Sequence, residues 1–293
     1  MSSFKLIFSL IILLSLLLTQ DRYLDPIFND IDIENNIVYG NSPDLPFLFW
    51  VESNTQDIDL TMDIYQPVGD TQELRPLLLF MHSGSFFTGN KNADDMVALS
   101  IASAQRGYVA ASLSYRLGLN ILSSYSGERA VYRSVQDASA AIRYFRENSD
   151  AYNIDPDAIF IWGSSAGSFS AINLAYLDDS ERPESTYGSG NDPDLGCVDC
   201  AGNDYDHSNK PNAIVSCWGA ISSLDYIDDE DTTPIAMFHG TLDPIVPFSS
   251  GYPFTVDIAL PFVYGSELMH QKLQEEGIYS ELYIGENLSL IHI

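Results

Sequence analysis

The sequence predicts one α/β domain built on a doubly wound, mostly parallel sheet that begins with an antiparallel hairpin. Short apolar runs, typical of strands buried on both faces, alternate with segments of helical periodicity. The 293 residues, 45% hydrophobic and 18% charged, have the composition of a globular protein with a sizeable core. No internal repeat or long linker divides the chain, so we expect a single domain.

The chain begins with a segment typical of a secretory leader. Lys5 and the amino terminus precede an apolar run of 13 residues, Leu6–Leu18, which is short for a membrane span. We therefore expect residues 1–20 to be a signal peptide and the protein to be secreted or periplasmic. Because no small-x-small cleavage site follows, an uncleaved anchor is the alternative. Residues 21–45 are expected to be an irregular lead-in, 46–287 the α/β domain and 288–293 a tail.

Local patterns predict the individual elements. Apolar alternation over Ile58–Tyr65 predicts a strand, which pairs with Phe47–Val51 in the hairpin. Segment 178–211, rich in Gly, Asp, Asn and Pro, has no predicted element. Further strands are predicted at Leu77–Met81, Tyr108–Leu113, Ile159–Trp162, Ala213–Trp218, Ile235–Phe238 and Tyr279–Ile284, and helices at Asp94–Arg106, Glu128–Asn148, Ser168–Leu177 and Phe262–Glu276.

The segment Gly163-Ser164-Ser165-Ala166-Gly167 lies between a predicted buried strand and a predicted helix. Gly-x-Ser-x-Gly in this context is a nucleophile elbow, in which the serine occupies a strained turn and the glycines avoid clashes with their neighbours. The turn exposes the serine hydroxyl, and the helix amino terminus stabilises negative charge beside it. The sequence therefore predicts Ser165 as a nucleophile.

Two further groups follow predicted strands, at the edge where open α/β sheets place their sites. Gly84 and Ser85 follow Leu77–Met81, and their amides, with that of Ala166, are predicted to form an oxyanion hole. Asp243 follows Ile235–Phe238 in a proline-bounded loop and is the predicted acid that orients a histidine. Its competitors lie before that strand in an acidic run that is typical of a solvated loop, and are Asp225, Asp228, Asp229 and Asp231.

Residues 58–285 resemble the α/β-hydrolase fold esterases and lipases, in particular the carboxylesterase and feruloyl-esterase-like branch. The family orders its triad as nucleophile, acid and histidine, which Ser165 and Asp243 match, and the resemblance implies structural roles for His82 and His239. The family's His-Gly-Gly-Gly is here His82-Ser83-Gly84-Ser85, so the hole is expected to differ in shape and Ser85 Oγ to be an added donor. The resemblance rests on the elbow and on Asp63-Ile64-Tyr65-Gln66-Pro67, His82-Ser83-Gly84-Ser85-Phe86, Ser114-Tyr115-Arg116-Leu117 and His239-Gly240-Thr241-Leu242-Asp243.

The catalytic histidine is the least defined member of the site. His207 precedes the acid and His270 lies on a predicted helix, which leaves His292 as the candidate base, since the family places its base after the last strand. The tail Leu288–Ile293 reads, however, as the translation of the mosaic-end adaptor of transposon-based sequencing libraries. We hypothesise that this tail is not native and that the true histidine loop is missing.

Charge and cysteine usage restrict the partners. With 41 acidic and 13 basic residues, the net charge of −28 disfavours nucleic acid and anionic membranes. Cys197 and Cys200 favour a local disulfide or free thiols over a zinc site, and Cys217 is expected to be a buried thiol. A solvated acidic loop is favoured over a Ca²⁺ site for Asp192, Asp194, Asp199, Asp204 and Asp206.

We therefore expect a serine hydrolase that cleaves carboxylic esters through an acyl-enzyme and needs no cofactor. Its substrate is expected to be a small-molecule or polysaccharide-linked ester. Two alternatives stay open: a dipeptidyl-type serine peptidase on the same fold, and a catalytically silent scaffold used for binding.

Overall fold

The computed structural model describes residues 21–45, 51–255 and 259–289. Within these ranges, eight strands form one sheet in the order β1-β2-β4-β3-β5-β6-β8-β11, and three short ones form a second sheet in the order β7-β10-β9. The strands are β1 Ile31–Asp44, β2 Gln56–Pro67, β3 Arg75–Met81, β4 Val109–Leu113, β5 Ile154–Ser164, β6 Ala213–Cys217, β7 Ala220–Ile221, β8 Ile235–Gly240, β9 Ser250–Gly251, β10 Val263–Gly265 and β11 Ser280–Gly285.

The large sheet is parallel from β4 to β11 and antiparallel at β1 and β2, as predicted. The strand order reverses around β3, because β4 lies on one side of it and β5 on the other. Such a reversal opens a crevice at the carboxyl ends of the strands, where ligands bind in open α/β sheets. The ends of β3 and β5 carry the predicted oxyanion loop and nucleophile.

Two hydrophobic layers cover the sheet. Leu77 and Leu79 of β3 belong to a large core, whereas Phe80 belongs to a smaller core on the opposite face, since successive side chains of a strand point to opposite faces. This arrangement confirms the doubly wound α/β class. The helices are α1 Asp94–Ala104, α2 Ser126–Glu147, α3 Ser149–Tyr152, α4 Ala166–Tyr176 and α5 Ser266–Glu275.

The expected irregular lead-in over 21–45 is wrong for residues 31–44, which form β1 and pair with β2 along its length. A register shift between Glu34 and Ile37, with Asn36 at a φ of 59°, interrupts the alternation that would have revealed the strand. The hairpin partner expected at Phe47–Val51 falls almost entirely outside the described residues. The helix expected from Phe262 instead begins at Ser266, because Val263–Gly265 pairs as β10.

The long segment 178–211 is held against α2 by side-chain donors of that helix. Tyr132 Oη donates to Gly196 O at 2.8 Å, and Gln136 Nε2 donates to Leu195 O at 2.6 Å. Arg129 and Arg143 donate to further carbonyl oxygens of the same segment. The spacing places these donors along one helix face, so a loop with only short 3₁₀ turns is still ordered.

The cysteines behave as the sequence indicates. Cys197 and Cys200 form a disulfide with Cα atoms 5.5 Å apart, within segment 178–211. Cys217 is a buried free thiol at the end of β6, and burial raises its pKa to about 12.

The described residues give no support for a metal or a membrane span. Among them, no group of three or more His, Cys, Asp or Glu side chains has an arrangement that would hold a metal ion. No helix in residues 21–45, 51–255 or 259–289 combines the length and apolarity needed to cross a bilayer. The predicted signal peptide, residues 1–20, lies outside the described residues.

Candidate active site

The elbow has the strained geometry that its sequence predicts. Ser165 joins β5 to α4 with φ 48° and ψ −116°, a conformation that costs an L-residue on the order of 1–3 kcal/mol. A Cβ on Gly163 would collide with Gly167 O, and one on Gly167 would collide with the carbonyl oxygen of Met81 in β3. Both positions therefore require glycine because the turn packs directly against itself and against the neighbouring strand.

Backbone hydrogen bonds fix the strained serine in place. Ser165 N donates to Cys217 O of β6 at 2.9 Å, and the amides of Ser168 and Phe169 donate to Ser165 O at 2.9 and 3.0 Å. The serine is thus held by the adjacent strand on one side and by the first turn of α4 on the other. Its exposed fraction is only 8%, so what remains accessible opens into a pocket rather than onto a convex surface.

The loop after β3 is a tight turn of unusual backbone. Gly84 has φ 127°, and its carbonyl accepts hydrogen bonds from the amides of Phe87 at 2.9 Å and Thr88 at 3.0 Å. Ser85 and Phe86 follow at φ 56° and 55°, in the left-handed region that disfavours residues with a Cβ. Such strain is typical of functional sites, where the surrounding structure maintains it.

Two amides predicted for the oxyanion hole, those of Ser85 and Ala166, have no hydrogen-bond acceptor among the described residues. Both residues line the same pocket as Ser165. Unused amides beside a nucleophile are what stabilisation of an oxyanion requires.

His82 supports this loop from beneath. It is 1% exposed and stacks on Tyr115 with ring centroids 4.2 Å apart, while Tyr115 Oη donates to His82 O at 2.6 Å. Burial lowers the pKa of His82, only partly offset by its hydrogen bond to Ser83 O at 2.6 Å. A carbonyl can only accept, so Nδ1 carries the proton of a neutral ring. The structural role implied for His82 fits this geometry.

The carboxylate of Asp243, the predicted acid, is buried, and only one of its oxygens is hydrogen-bonded among the described residues. Its side chain is inaccessible to solvent, and Oδ1 accepts from the amides of Ile245 at 2.8 Å and Val246 at 3.0 Å. Among the described residues, Oδ2 has no hydrogen-bond partner. Burial by itself raises the pKa of Asp243, but His239 and the two amides outweigh it and hold that pKa below its usual value. The carboxylate therefore remains charged at neutral pH.

His239 is close to Asp243 but is engaged elsewhere. Its Nε2 lies 3.1 Å from Val246 O and 3.6 Å from Asp243 Oδ2, and its Nδ1 lies 2.8 Å from Ser266 Oγ. Because a carbonyl oxygen only accepts, the Nε2 proton points to Val246 rather than to the carboxylate. His239 is fully buried and does not line the pocket. Asp243 Oδ2 therefore has no hydrogen bond from it.

The chain that follows β11 runs directly beside Asp243. Thr241 N donates to Gly285 O at 3.1 Å, and Leu242 N donates to Leu288 O at 3.0 Å. Asn287 N donates to Thr241 Oγ1 at 2.9 Å. These bonds hold the described end of the chain against the loop that carries Asp243. His292, the candidate named from the sequence, lies outside the described residues.

The other candidates do not approach the site. His207 Nε2 lies 2.8 Å from Glu147 Oε2, and His270 hydrogen-bonds Ser280. The competing acids form their own turn before β8, where Asp228 N donates to Asp231 Oδ2 at 3.1 Å and burial raises the pKa of Asp231 to about 6. None of these residues lines the Ser165 pocket.

The pocket itself is mainly apolar. It spans about 750 Å³, part of which is open to solvent. Its polar lining includes Glu128 and Asn173, which the sequence analysis did not identify, since each lies on a helix whose pattern indicates only packing. The walls are contributed by the loop after β3, by α2 and α4, by the loop after Asp243 and by the segment around β10, including Phe86, Val131, Phe169, Ile245, Phe254 and Val263.

Comparison with known families agrees with this architecture. The model of the BD-FAE family matches residues 62–220, more than half of the chain, and includes the oxyanion loop and the elbow. The chain belongs to the BD-FAE family. The expected relationship to α/β-hydrolase fold esterases is thereby confirmed.

Curated relatives of this BD-FAE family member are matched over part of their length. They include para-nitrobenzyl esterase of Bacillus subtilis (strain 168), 29% identical over 49% of this chain and 30% of that protein. Carboxylesterase 3B of Mus musculus is 32% identical over 39% and 20%, and neuroligin-2 of Homo sapiens is 36% identical over 35% and 12%. The matched part thus spans less than a third of the length of these relatives.

Solved structures share the fold at low sequence identity. Thermogutta terrifontis esterase 2 phosphoramylated by tabun superposes with a TM-score of 0.57 at 21% identity, over 85% of this chain and 84% of that one. MGS-M1, an alpha/beta hydrolase enzyme from a Medee basin deep-sea metagenome library, gives 0.54 at 20% identity over 89% and 84%. These similarities establish the α/β-hydrolase fold.

Proposed function

We propose that this chain is a serine carboxylic ester hydrolase that works through an acyl-enzyme. The observation that carries the proposal is the strained Ser165 at the base of an apolar pocket, beside amides without protein acceptors. A catalytically silent scaffold would have no need to maintain a serine in this strained conformation. The family and its esterase relatives support the same reaction class.

The geometry supports a reaction in two acyl-transfer steps. Ser165 Oγ attacks the ester carbonyl carbon while the base removes its proton, and the oxyanion that forms is stabilised by the amides of Ser85 and Ala166, with that of Gly84 nearby. The tetrahedral intermediate collapses as the imidazolium protonates the leaving alcohol. Water then attacks the acyl-enzyme through the same steps and releases the acid.

The base is a histidine in the segment after β11, with Asp243 Oδ2 as its partner. Asp243 Oδ2 is buried and has no hydrogen-bond donor among the described residues. This supports the assignment, because leaving a buried carboxylate oxygen without a donor costs free energy that a histidine N–H would recover. His292 is the candidate in this chain.

The pocket supports an ester with an apolar acyl or alcohol group, either free or attached to a polysaccharide. Its lining residues include several phenylalanines, which suit an aromatic or branched aliphatic group. We place the protein outside the cytoplasm on the basis of the leader at 1–20. The Cys197–Cys200 disulfide supports that location, since disulfides persist in oxidising compartments.

A catalytically silent scaffold is the second candidate, and one observation favours it. None of the four histidines that the structure describes, His82, His207, His239 and His270, lines the Ser165 pocket. Turnover of short p-nitrophenyl esters tests the two functions, using the chain as given and a chain with the residues after Asn287 read from the resequenced gene. A dipeptidyl amide substrate run in parallel would reveal the peptidase alternative by being preferred.

Matched variants identify the residue responsible. Ser165→Ala should remove turnover, whereas Ser164→Ala deletes a neighbouring hydroxyl that has no hydrogen-bond partner among the described residues and should retain it. Turnover that survives Ser165→Ala, or that is absent from both chains, would refute the proposed hydrolase.

A further inference from the structure

Glu128 is the only charged residue among the described residues that line the Ser165 pocket. It lies in the first turn of α2. Apolar ester-binding pockets have no need of a charged group, and a carboxylate that faces apolar surface loses hydration. A charged group at this place is suited to recognise a polar feature of a ligand.

The charge of Glu128 is not neutralised by a protein cation. Oε2 accepts a hydrogen bond from Ser185 Oγ, and no Lys, Arg or His of the described residues forms an ion pair with it. The adjacent Arg129 is committed to Glu52 at 2.9 Å and to carbonyl oxygens. Arg182 is paired with Asp194 and stacks on Tyr187. The amino-terminal turn of a helix, in addition, favours negative charge.

The rest of the pocket suits an organic cation. Phe86, Phe169 and Phe254 line it, and aromatic faces bind ammonium groups while the attached carbons pack on the same surface. The protein carries a net charge of −28, which concentrates cations around it and raises their association rates. Local and long-range electrostatics thus favour the same charge on the substrate.

We propose that Glu128 makes this pocket selective for esters that carry an ammonium group on the acyl or alcohol side. The inference rests on the proposed ester hydrolysis and names the substrate class of that site. Two isosteric esters test it, acetylcholine and 3,3-dimethylbutyl acetate. They have the same shape, but carbon replaces the quaternary nitrogen in the second, which therefore carries no charge. The readout is the ratio of their kcat/KM values within one variant.

We expect the ratio to favour the cationic ester and to fall about fivefold in Glu128→Gln, the size of a partly exposed ion pair. Glu184→Gln is the matched control, because it removes the same charge from the nearby exposed turn without lining the pocket. Its ratio should stay that of the parent. A ratio near one in the parent, or an equal fall in both variants, would overturn the inference and assign any preference to net charge alone.

A binding measurement separates this inference from the proposed reaction. Calorimetric titration with benzyltrimethylammonium should show binding that weakens about fivefold in Glu128→Gln and not in Glu184→Gln. If neither ester is hydrolysed by the chain as given or by a chain with the residues after Asn287 read from the resequenced gene, but this difference holds, the hydrolase proposal fails and the cation site stands. If both esters are hydrolysed and the titration shows no binding, the cation site is refuted and the hydrolase stands.

Discussion

The candidate site has two halves, and they differ in how much of their geometry is determined by contacts between residues close in sequence. The nucleophile half, at the ends of β3 and β5, is built from the elbow and the Gly84–Ser85 turn, and its geometry is set by glycine contacts and short-range hydrogen bonds. The acid–base half, at the ends of β8 and β11, has Asp243 in place with one oxygen open. The family match at residues 62–220 covers the first half and ends before the second.

This difference shows that the strained backbone around the nucleophile forms without the histidine base. In the nucleophile half, Ser165 is held at positive φ by its bond to β6, and Ser85 and Phe86 lie at positive φ in the turn after β3, independently of any base. The acid–base half depends on a long-range encounter, in which the segment after β11 returns to the loop of Asp243. The nucleophile half can thus be complete while the acid–base half still needs the side chain of a histidine.

The largest expected effect breaks the acid–base half. In a chain that hydrolyses esters, Asp243→Asn should lower kcat by on the order of 10³–10⁴, because the amide neither orients the histidine correctly nor stabilises its charged form. Steady-state hydrolysis of a p-nitrophenyl ester measures it. Asp225→Asn, in the competing acidic turn, serves as the control, and a comparable loss there would transfer the role of the acid.

The next effect breaks the nucleophile half. Gly167→Ala forces a Cβ against the carbonyl oxygen of Met81, which belongs to a central strand and cannot move freely. We expect a loss of about 3 kcal/mol in the free energy of unfolding, measured by urea denaturation. Gly190→Ala, with open space around its Cβ, should lose about 1 kcal/mol for its positive φ alone. Equal losses would show that the elbow is not sterically determined.

A smaller change sharpens the contrast by relieving strain. Ser85→Gly removes the left-handed penalty at φ 56° and should raise the free energy of unfolding by about 0.5–1 kcal/mol after the entropy cost of glycine. Ser83→Gly, at a neighbour without positive φ, should lower it. A fall in kcat of more than about tenfold in Ser85→Gly would show that Ser85 Oγ, rather than its amide alone, stabilises the oxyanion.

The smallest effect is an expected lack of reaction. Cys217 lies at the end of β6, and its carbonyl oxygen accepts a hydrogen bond from the Ser165 amide. Burial raises the pKa of its thiol to about 12, so the thiol stays protonated at pH 8. Iodoacetamide at that pH should leave Cys217 unmodified in the folded protein and alkylate it in urea, as mass mapping would show. Rapid modification of the folded protein would mean that the end of β6 opens near the elbow.

The nucleophile half could be predicted from the sequence because its physics is local. The apolar strand before Gly163 and the small residues after Ser165 specify the turn by themselves. The parallel strands, from Leu77–Met81 to Tyr279–Ile284, were likewise predictable, since strands buried on both faces are continuous apolar runs.

Features that depend on distant contacts escaped prediction. The strand β1 was missed because its bulge at Asn36 breaks the period-two pattern, and pairing with β2 overrides it. Glu128 gave no signal beyond a helix start, because the pocket that it faces is assembled from segments far apart in sequence. The histidine base remains a prediction for the same reason, and His292 lies outside the described residues.

The most direct measurement of the central claim is labelling with a fluorophosphonate followed by mass mapping. It should be made on the chain as given and on a chain with the residues after Asn287 read from the resequenced gene. We expect one phosphonyl group on Ser165 in the second chain and none in Ser165→Ala. Rapid labelling of the first chain that is lost in His292→Ala would establish His292 as the base. Label on another residue, or none on either chain, would contradict the assignment of Ser165 as the nucleophile.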